Sequence, residues 1–219
     1  MKNNKVLILS TIASVVEQFN RNNLKILKKN GFDVTILANF SFGNTISDDM
    51  IKTFSDELIS DGFRVIDIPI PRKFQLIQLI KSYFIIKNLI KNNNYYFIHC
   101  HTPIASFLLR INYFFTYQRK ERIIYTAHGF HFYNDAPLKN WILYYTIEKL
   151  LSKYVDCLIT INKEDYLNAK IFFKNIKKIV YIYGVGVDLN KFNPPLKNEK
   201  NKMRKKFGYS KKDFIIISV

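Results

Sequence analysis

Short apolar runs rich in β-branched residues alternate along the chain with longer segments whose apolar residues recur at helical spacing. The short runs predict strands over Lys5–Ser10, Asp33–Ala38, Arg64–Ile68, Tyr96–His101, Arg122–Ala127, Asp156–Ile161, Lys178–Tyr183 and Asp213–Val219. The longer segments predict helices over Val15–Asn30, Ser47–Ser60, Lys73–Asn92, Pro103–Tyr117, Pro137–Lys153 and Lys163–Phe173. Boundary residues agree with these limits. Gly31 closes the first helix, Ser47 followed by Asp48 and Asp49 opens the second, and Pro103 and Pro137 take first-turn positions. Strands that are apolar nearly throughout and joined by helical crossovers form a parallel sheet covered on both faces, so the fold class is α/β, a doubly wound parallel sheet.

After Asn193-Pro194-Pro195 the pattern changes to a polar, lysine-rich stretch over Leu196–Lys206, then Phe207-Gly208 and the last apolar run. This predicts one domain over residues 1–195, followed at 196–219 by a linker and the first strand of a domain that is missing. A length of 219 residues suits one large domain with an appendage.

Composition narrows the classes. With 48% hydrophobic residues there is ample core, and with Gly 7 and Pro 6 the chain is neither collagenous nor of low complexity. Cys100 and Cys157 are the only cysteines, which excludes a disulfide framework and three- or four-cysteine zinc sites and points to a reducing compartment. The most apolar stretch, Ile104–Tyr117, is interrupted by Arg110 and Asn112 and falls short of the roughly 18 residues of a membrane span. The start of the chain lacks a signal-peptide core, so a cytoplasmic location is expected. Lys+Arg 34 against Asp+Glu 17 gives a net charge of +17, which suits anionic partners. The lysines are scattered among abundant asparagine and isoleucine, as A/T-biased coding would produce, so charge alone names no partner. No nucleic-acid partner is expected, because helix-turn-helix, zinc-finger and aromatic ribonucleoprotein signatures are lacking.

In an open parallel sheet, ligands bind beyond the carboxyl ends of the strands where strand order reverses. A strand order of 3-2-1-4-5 would bring Ser10-Thr11, His101-Thr102 and His128-Gly129 into one crevice. The absence of glycine from Ser10-Thr11-Ile12-Ala13-Ser14 excludes a glycine-rich phosphate loop there. Strand alternation puts His99 and His101 on one face and Cys100 on the other, so His99-Cys100-His101 cannot converge on one metal ion. Thr126-Ala127-His128-Gly129-Phe130-His131-Phe132-Tyr133 is the densest constellation, with two readings. One is recognition of a sugar ring by stacking and hydrogen bonds; the other is an aromatic loop packed over the sheet edge. Asn162 with Asp165 reads as a helix cap, and Asp188 as a turn or cap residue.

One ordered set of motifs runs through nearly the whole chain. It comprises Glu17-Gln18-Phe19-Asn20, Gly31-Phe32-Asp33-Val34, Asn39-Phe40, His99-Cys100-His101-Thr102-Pro103-Ile104, Tyr125 to Phe132, Asn162-Lys163-Glu164-Asp165 and Gly184-Val185-Gly186-Val187-Asp188. Together these resemble the N-terminal half of a family 4 glycosyltransferase, of the branch serving bacterial capsular and exopolysaccharide synthesis. The resemblance implies a GT-B architecture, in which a Rossmann-like N-terminal domain binds the acceptor and a second one binds the nucleotide-sugar. It implies retaining hexosyl or N-acetylhexosaminyl transfer, without cofactor or active-site metal, from a nucleotide-sugar donor such as a UDP-sugar. His128 is then the catalytic residue, facing the donor sugar and helping to stabilise positive charge at the anomeric carbon. Gly129, His131 and Glu164 line the donor-sugar side of the cleft, and Ser10, Thr11, Phe19, Asn20, His101 and Thr102 shape the acceptor side.

Tyr183 departs from this branch, where proline often precedes the glycine. Donor diphosphate contacts belong to the missing C-terminal domain, so this chain alone is expected to be inactive. The implied acceptor is lipid-linked or a free saccharide. The helix over Lys73–Asn92 bears on this, with Phe74, Ile77, Ile80 and Phe84 in one stripe, Leu76, Leu79, Tyr83, Ile86 and Ile90 in another, and Lys81, Lys87 and Lys91 between them. It reads either as a crossover helix with solvated lysines or as a docking face for the anionic inner surface of the cell membrane. A reading from a different class is a non-catalytic module that docks on acceptor or membrane and acts with a partner subunit.

Overall fold

A computed structural model describes residues 4–116, 119–187, 189 and 192–216. Seven strands, β1 (Lys5–Ile12), β2 (Asp33–Asn39), β3 (Arg64–Asp67), β4 (Phe97–His101), β5 (Arg122–Ala127), β6 (Cys157–Thr160) and β7 (Lys178–Tyr181), form one sheet in the order β3-β2-β1-β4-β5-β6-β7. All neighbours are parallel, with Ile8 level with Ile36 on one side and His99 on the other. This is the Rossmann-like, doubly wound sheet that the periodicity demands. The alternating side chains feed two cores. Val6, Ile8, Val34 and Ile36 pack with α1 (Ala13–Lys29) and α2 (Asp48–Ser60) through Val16, Leu24, Phe54 and Leu58. Leu7, Leu9, Ile98, Cys100, Ile123 and Tyr125 face the opposite core, to which α3 (Leu76–Asn92) gives Ile86 and α4 (Pro103–Phe114) gives Leu108 and Leu109.

Local signals behave as their chemistry requires. Gly31 has φ +76° just beyond α1, the Ser47 hydroxyl accepts from the Met50 N–H at 3.4 Å, and Pro103 opens α4. β5 separates the strands bearing Cys100 and Cys157, and both thiols are free. Two segments before residue 186 differ from expectation. β1 runs two residues past Ser10, with an irregular register between Leu9 and Ile12. The helix expected over Pro137–Lys153 is broken into α5 (Leu138–Asn140), a π-helical turn (Trp141–Tyr145), α6 (Thr146–Leu151) and a 3₁₀ turn (Ser152–Tyr154). Aromatic packing accounts for the π turn. It brings Trp141 and Tyr145 to 5.4 Å and 5.6 Å from Phe132, and to 6.0 Å and 5.1 Å from Phe172 on α7 (Lys163–Phe172). Tyr117 and Asp188 lie outside the described residues.

The chain divides into two compact units, Met1–Val185 and Gly186–Val219. In the second, the lysine-rich stretch is helical as α8 (Lys197–Lys206), where the Leu196 N–H donates to Glu199 Oε2 at 3.0 Å. Arg204 donates to the carbonyls of Ser210 and Asp213 at 2.7 Å and 2.9 Å. Of the strand expected over Asp213–Val219, residues 213–216 are irregular and join no ladder, and 217–219 lie outside the described residues.

Arg110, which interrupts an apolar run in the sequence, is 1% exposed. Its guanidinium donates to both carboxylate oxygens of Glu148 on α6 at 2.8 Å and 2.9 Å, donates to the Ser106 carbonyl at 3.1 Å, and lies 4.9 Å from the centre of the Tyr125 ring. Burial opposes the charge, and the facing carboxylate more than offsets it, so Arg110 is held above its ordinary pKa. The pair ties α4 to α6 over β5. Breaking a buried pair from one side strands the remaining charge, so Arg110→Met is expected to cost about 3–5 kcal/mol in urea denaturation. The double variant Arg110→Met/Glu148→Leu is expected to recover most of that loss. Additive losses in the double variant would contradict this account of the pair.

Candidate functional site

The sheet order reverses between β1 and β4, and the crevice expected at their carboxyl ends is built from strand termini and the start of α1. Thr11 and Thr102 close its floor. Thr102, the cap of α4, has φ +70°, a conformation that L side chains rarely adopt. A dense set of bonds holds it there. The Thr102 hydroxyl donates to the His101 carbonyl, so it accepts both from the Thr11 N–H at 3.2 Å and from the Thr11 hydroxyl at 2.6 Å. These bonds clamp β1 to β4 at the switch point.

Three imidazoles line the buried side. His99 Nε2 is 2.8 Å from the Thr126 hydroxyl, the His99 and His101 rings are 4.1 Å apart, and His101 Nδ1 is 3.5 Å from His128 Nε2. Phe19, on α1, lies against His128, with ring centroids 5.5 Å apart. His101 is buried, His128 is half-buried, and Phe19 is exposed. Burial and the neighbouring His128 hold His99 down at about 4. Burial, with His99 and His128 beside it, holds His101 well below the usual histidine range, and burial also lowers His128. The crevice wall is therefore neutral at physiological pH. Among the described residues, no group of three or more His, Cys, Asp or Glu side chains could hold a metal ion.

Thr11, Phe19, His101, Thr102 and His128 thus come together, with Gly129 directly after His128. Ser10 and Asn20 are fully buried instead, and the Ser10 hydroxyl and the Asn20 amide nitrogen have no partner among the described residues. His131 lies further out on the loop after β5, and Glu164 stands in the first turn of α7 beside that loop. The His131 ring sits 4.6 Å from Tyr144, its carbonyl accepts from Asn140 at 2.9 Å, and Glu164 accepts from the Asn134 N–H at 2.8 Å. Gly129 has φ +141° with open space where a Cβ would be, so the chain passes close to the crevice without a side chain.

Asp165 organises this loop. Asn162 caps α7 by accepting from the Asp165 N–H at 2.7 Å, and donates in turn to Asp165 Oδ2 at 2.7 Å. The same Oδ2 accepts from the Phe130 N–H at 3.0 Å, which fixes the backbone two residues after His128. The cap is legible from the Asn162-to-Asp165 spacing, whereas the reach to Phe130 is a tertiary contact without a local signal. Asn39 does the same for the loop after β2: its Oδ1 accepts from the Ser41 and Phe42 N–H groups at 3.0 Å and 2.8 Å. That loop then meets the start of α1, where the Ser14 N–H donates to Asn44 at 3.0 Å. A concavity of about 700 Å³ lies at the opposite, amino edge of the sheet, lined by Lys5, Tyr95, Tyr96, Lys120 and Arg122 among others. It has none of the converging strand-end groups, and the carboxyl edge is where parallel sheets assemble ligand sites, so the site is assigned there.

The family described as glycosyl transferase 4-like matches residues 5–162, from β1 to the cap of α7. EpsD of Bacillus subtilis (strain 168), named as a glycosyltransferase, is 36% identical over 213 residues, covering 97% of this chain and 52% of that protein. The Escherichia coli UDP-Gal:alpha-D-GlcNAc-diphosphoundecaprenol alpha-1,3-galactosyltransferase is 24% identical over 213 residues, covering 96% and 51%. The chain therefore spans about half the length of these curated relatives. Among solved structures, sucrose-phosphate synthase from Thermosynechococcus elongatus shares the fold over 95% of this chain and 53% of its own, at TM-score 0.58 and 13% identity.

The neutral histidines make stability depend on pH with a definite sign. Their pKa values are lower folded than unfolded, so their contribution is complete above the ordinary value near 6.5 and declines as pH falls toward about 4 for His99. Each such group contributes a slope of about 1.4 kcal/mol per pH unit within its window. The urea midpoint is expected to fall between about pH 7 and about pH 5, and to fall less steeply in His99→Gln, whose amide can still reach Thr126. A flat profile, or the same slope in the variant, would contradict this.

Proposed function

Because the chain belongs to the glycosyl transferase 4-like family, we propose that it forms the acceptor-binding half of a retaining glycosyltransferase of capsular or exopolysaccharide synthesis. The enzyme transfers a hexosyl or N-acetylhexosaminyl group from a UDP-sugar to a lipid-linked saccharide. A second domain that this chain does not contain holds the donor diphosphate, in keeping with relatives about twice as long. The observation that carries this reading is the crevice at the β1/β4 switch point, with half-buried, neutral His128 beside exposed Phe19. Phe19 offers a sugar ring an apolar face, and His128 a polar contact. An uncharged imidazole orients the donor sugar without opposing positive charge at the anomeric carbon, as an imidazolium would. Thr11 and Thr102 shape the acceptor side through the backbone they fix, since their hydroxyls are engaged with each other.

The lipid-linked acceptor is met at a membrane surface, and α3 supports this. Ser82 and Ile86 are its buried residues, while Phe74 before it is 82% exposed, Ile77 is 68% exposed, and Leu76, Ile80 and Phe84 are also exposed. Lys81, Lys87 and Lys91 stand exposed beside this stripe. A helix following a parallel strand starts at the carboxyl edge of the sheet, so the apolar end of α3 lies on the same edge as the crevice. Among the described residues no helix is long and apolar enough to cross a membrane. Docking on the anionic inner face of the cell membrane is therefore peripheral, with about 1 kcal/mol from each lysine near the surface.

Two measurements test this reading. Once joined to a donor-binding second domain, the chain is expected to transfer radiolabel from a UDP-sugar to membranes carrying undecaprenyl-diphosphate saccharides. His128→Ala is expected to lower transfer roughly 10- to 1,000-fold without loss of folding. Absence of transfer from a panel of UDP-sugars, or full activity in the variant, would overturn it. The chain is also expected to co-sediment with vesicles containing anionic lipid, less so as salt rises, and to lose binding when Lys81, Lys87 and Lys91 become Glu or when Phe74 and Ile77 become Ser. Indifference to lipid charge in all three proteins would remove the membrane from the account.

A further inference from the structure

The two ring nitrogens of His101 have different surroundings. Nδ1 lies 3.5 Å from His128 Nε2, whereas Nε2 is buried and has no partner among the described residues. Burial keeps both histidines neutral, helped at His101 by the adjacent His99 and His128 rings, so each ring has one proton to place. Were the His101 proton on Nε2, a buried N–H would be left without an acceptor. On Nδ1 the proton faces His128 Nε2, and the atom left over is a bare lone pair, which a protein interior tolerates better than an orphaned donor. His128 Nε2 must then accept, and its own proton sits on Nδ1.

We propose that His101 is a positioning residue that donates from Nδ1 to His128 Nε2 and thereby holds His128 in its Nδ1–H form, so that His128 offers the crevice an N–H rather than a lone pair. The group that fixes a histidine tautomer is commonly a carboxylate or a backbone carbonyl. Here, among the described residues, no carboxylate is hydrogen-bonded to His99, His101 or His128, and a second imidazole takes that place. Its backing is firm. His99 lies against the His101 ring at 4.1 Å and is anchored to Thr126 at 2.8 Å, and the Phe19 ring packs 5.5 Å from that of His128. A separation of 3.5 Å is long for this bond, as is common before a ligand settles the site. The consequence rests on the proposal that His128 faces the donor sugar: the N–H then selects an oxygen of that sugar acting as acceptor.

Long-range proton–nitrogen spectra of the imidazoles in the ¹⁵N-labelled chain near neutral pH report tautomers directly. The His128 signals are identified by their loss in His128→Gln. Nδ1–H patterns are expected for both His128 and His101. His101→Gln, whose side-chain amide can still donate, is expected to keep the His128 pattern. His101→Leu is expected to shift it to the Nε2–H form that free imidazoles favour, with amide dispersion confirming the fold. An Nε2–H pattern for His128 in the unaltered chain would overturn the proposal, and so would an unchanged Nδ1–H pattern in a folded His101→Leu. Should His101→Leu fail to fold, the spectrum of the unaltered chain decides alone. Full transfer activity in His128→Ala would remove the donor-facing role and leave the tautomer result standing, so the two failures are distinguishable.

Discussion

Pairing of β1 with β2 on one side and β4 on the other is the constraint on which the candidate site depends. Once β2 and β3 have been laid down to one side of β1, the chain must cross back to place β4 on the other, and the crossovers that follow β1 and β4 leave in opposite directions from the same edge. The gap between them is filled by the side chains that end β1 and β4. Thr11 and Thr102 bond across it, at the cost of a positive φ in a residue with a Cβ. Their bonds set the spacing on which the His101–His128 contact relies, because His101 immediately precedes Thr102 in the chain.

Much of this was legible in the chain, for physical reasons. Near-continuous apolar strands, glycine and serine at helix ends, and proline at a first turn are local signals, and local signals survive without tertiary knowledge. The strand order then brings His101, which ends β4, beside His128, which follows the end of the adjacent β5. The expected strand ends at Ser10 with Thr11 beyond it, whereas both lie within β1, because the irregular register between Leu9 and Ile12 carries the strand two residues further than periodicity encodes. Ser10 is consequently interior rather than crevice-lining. Arg110 looked like a break in an apolar run and is a buried half of an ion pair, since its partner Glu148 lies 38 residues away on another helix. The clasp of Asp165 on the Phe130 N–H is of the same kind: the cap is local, but the use made of its spare oxygen is not.

The charge of the chain and the neutrality of its crevice are separate facts. Lysines lie on exposed faces such as that of α3, beside exposed phenylalanine and isoleucine. The wall around His128 is built from neutral imidazoles, threonine hydroxyls and an aromatic ring, a surface that suits hydroxyl-rich, uncharged rings better than phosphate. Under the proposed function the two would divide the labour, the outer face meeting the lipid part of an acceptor and the crevice receiving its sugar.

Backbone amide shifts during titration of the chain with a short-chain lipid diphosphate saccharide test the central claim, that the sugar acceptor binds at the carboxyl edge of β1 and β4. The account predicts saturable shifts at Thr11, Phe19, His101 and Thr102, with the amino edge unchanged. Shifts confined to the opposite concavity at Lys5, Tyr95 and Arg122, or none at saturating saccharide, would contradict it.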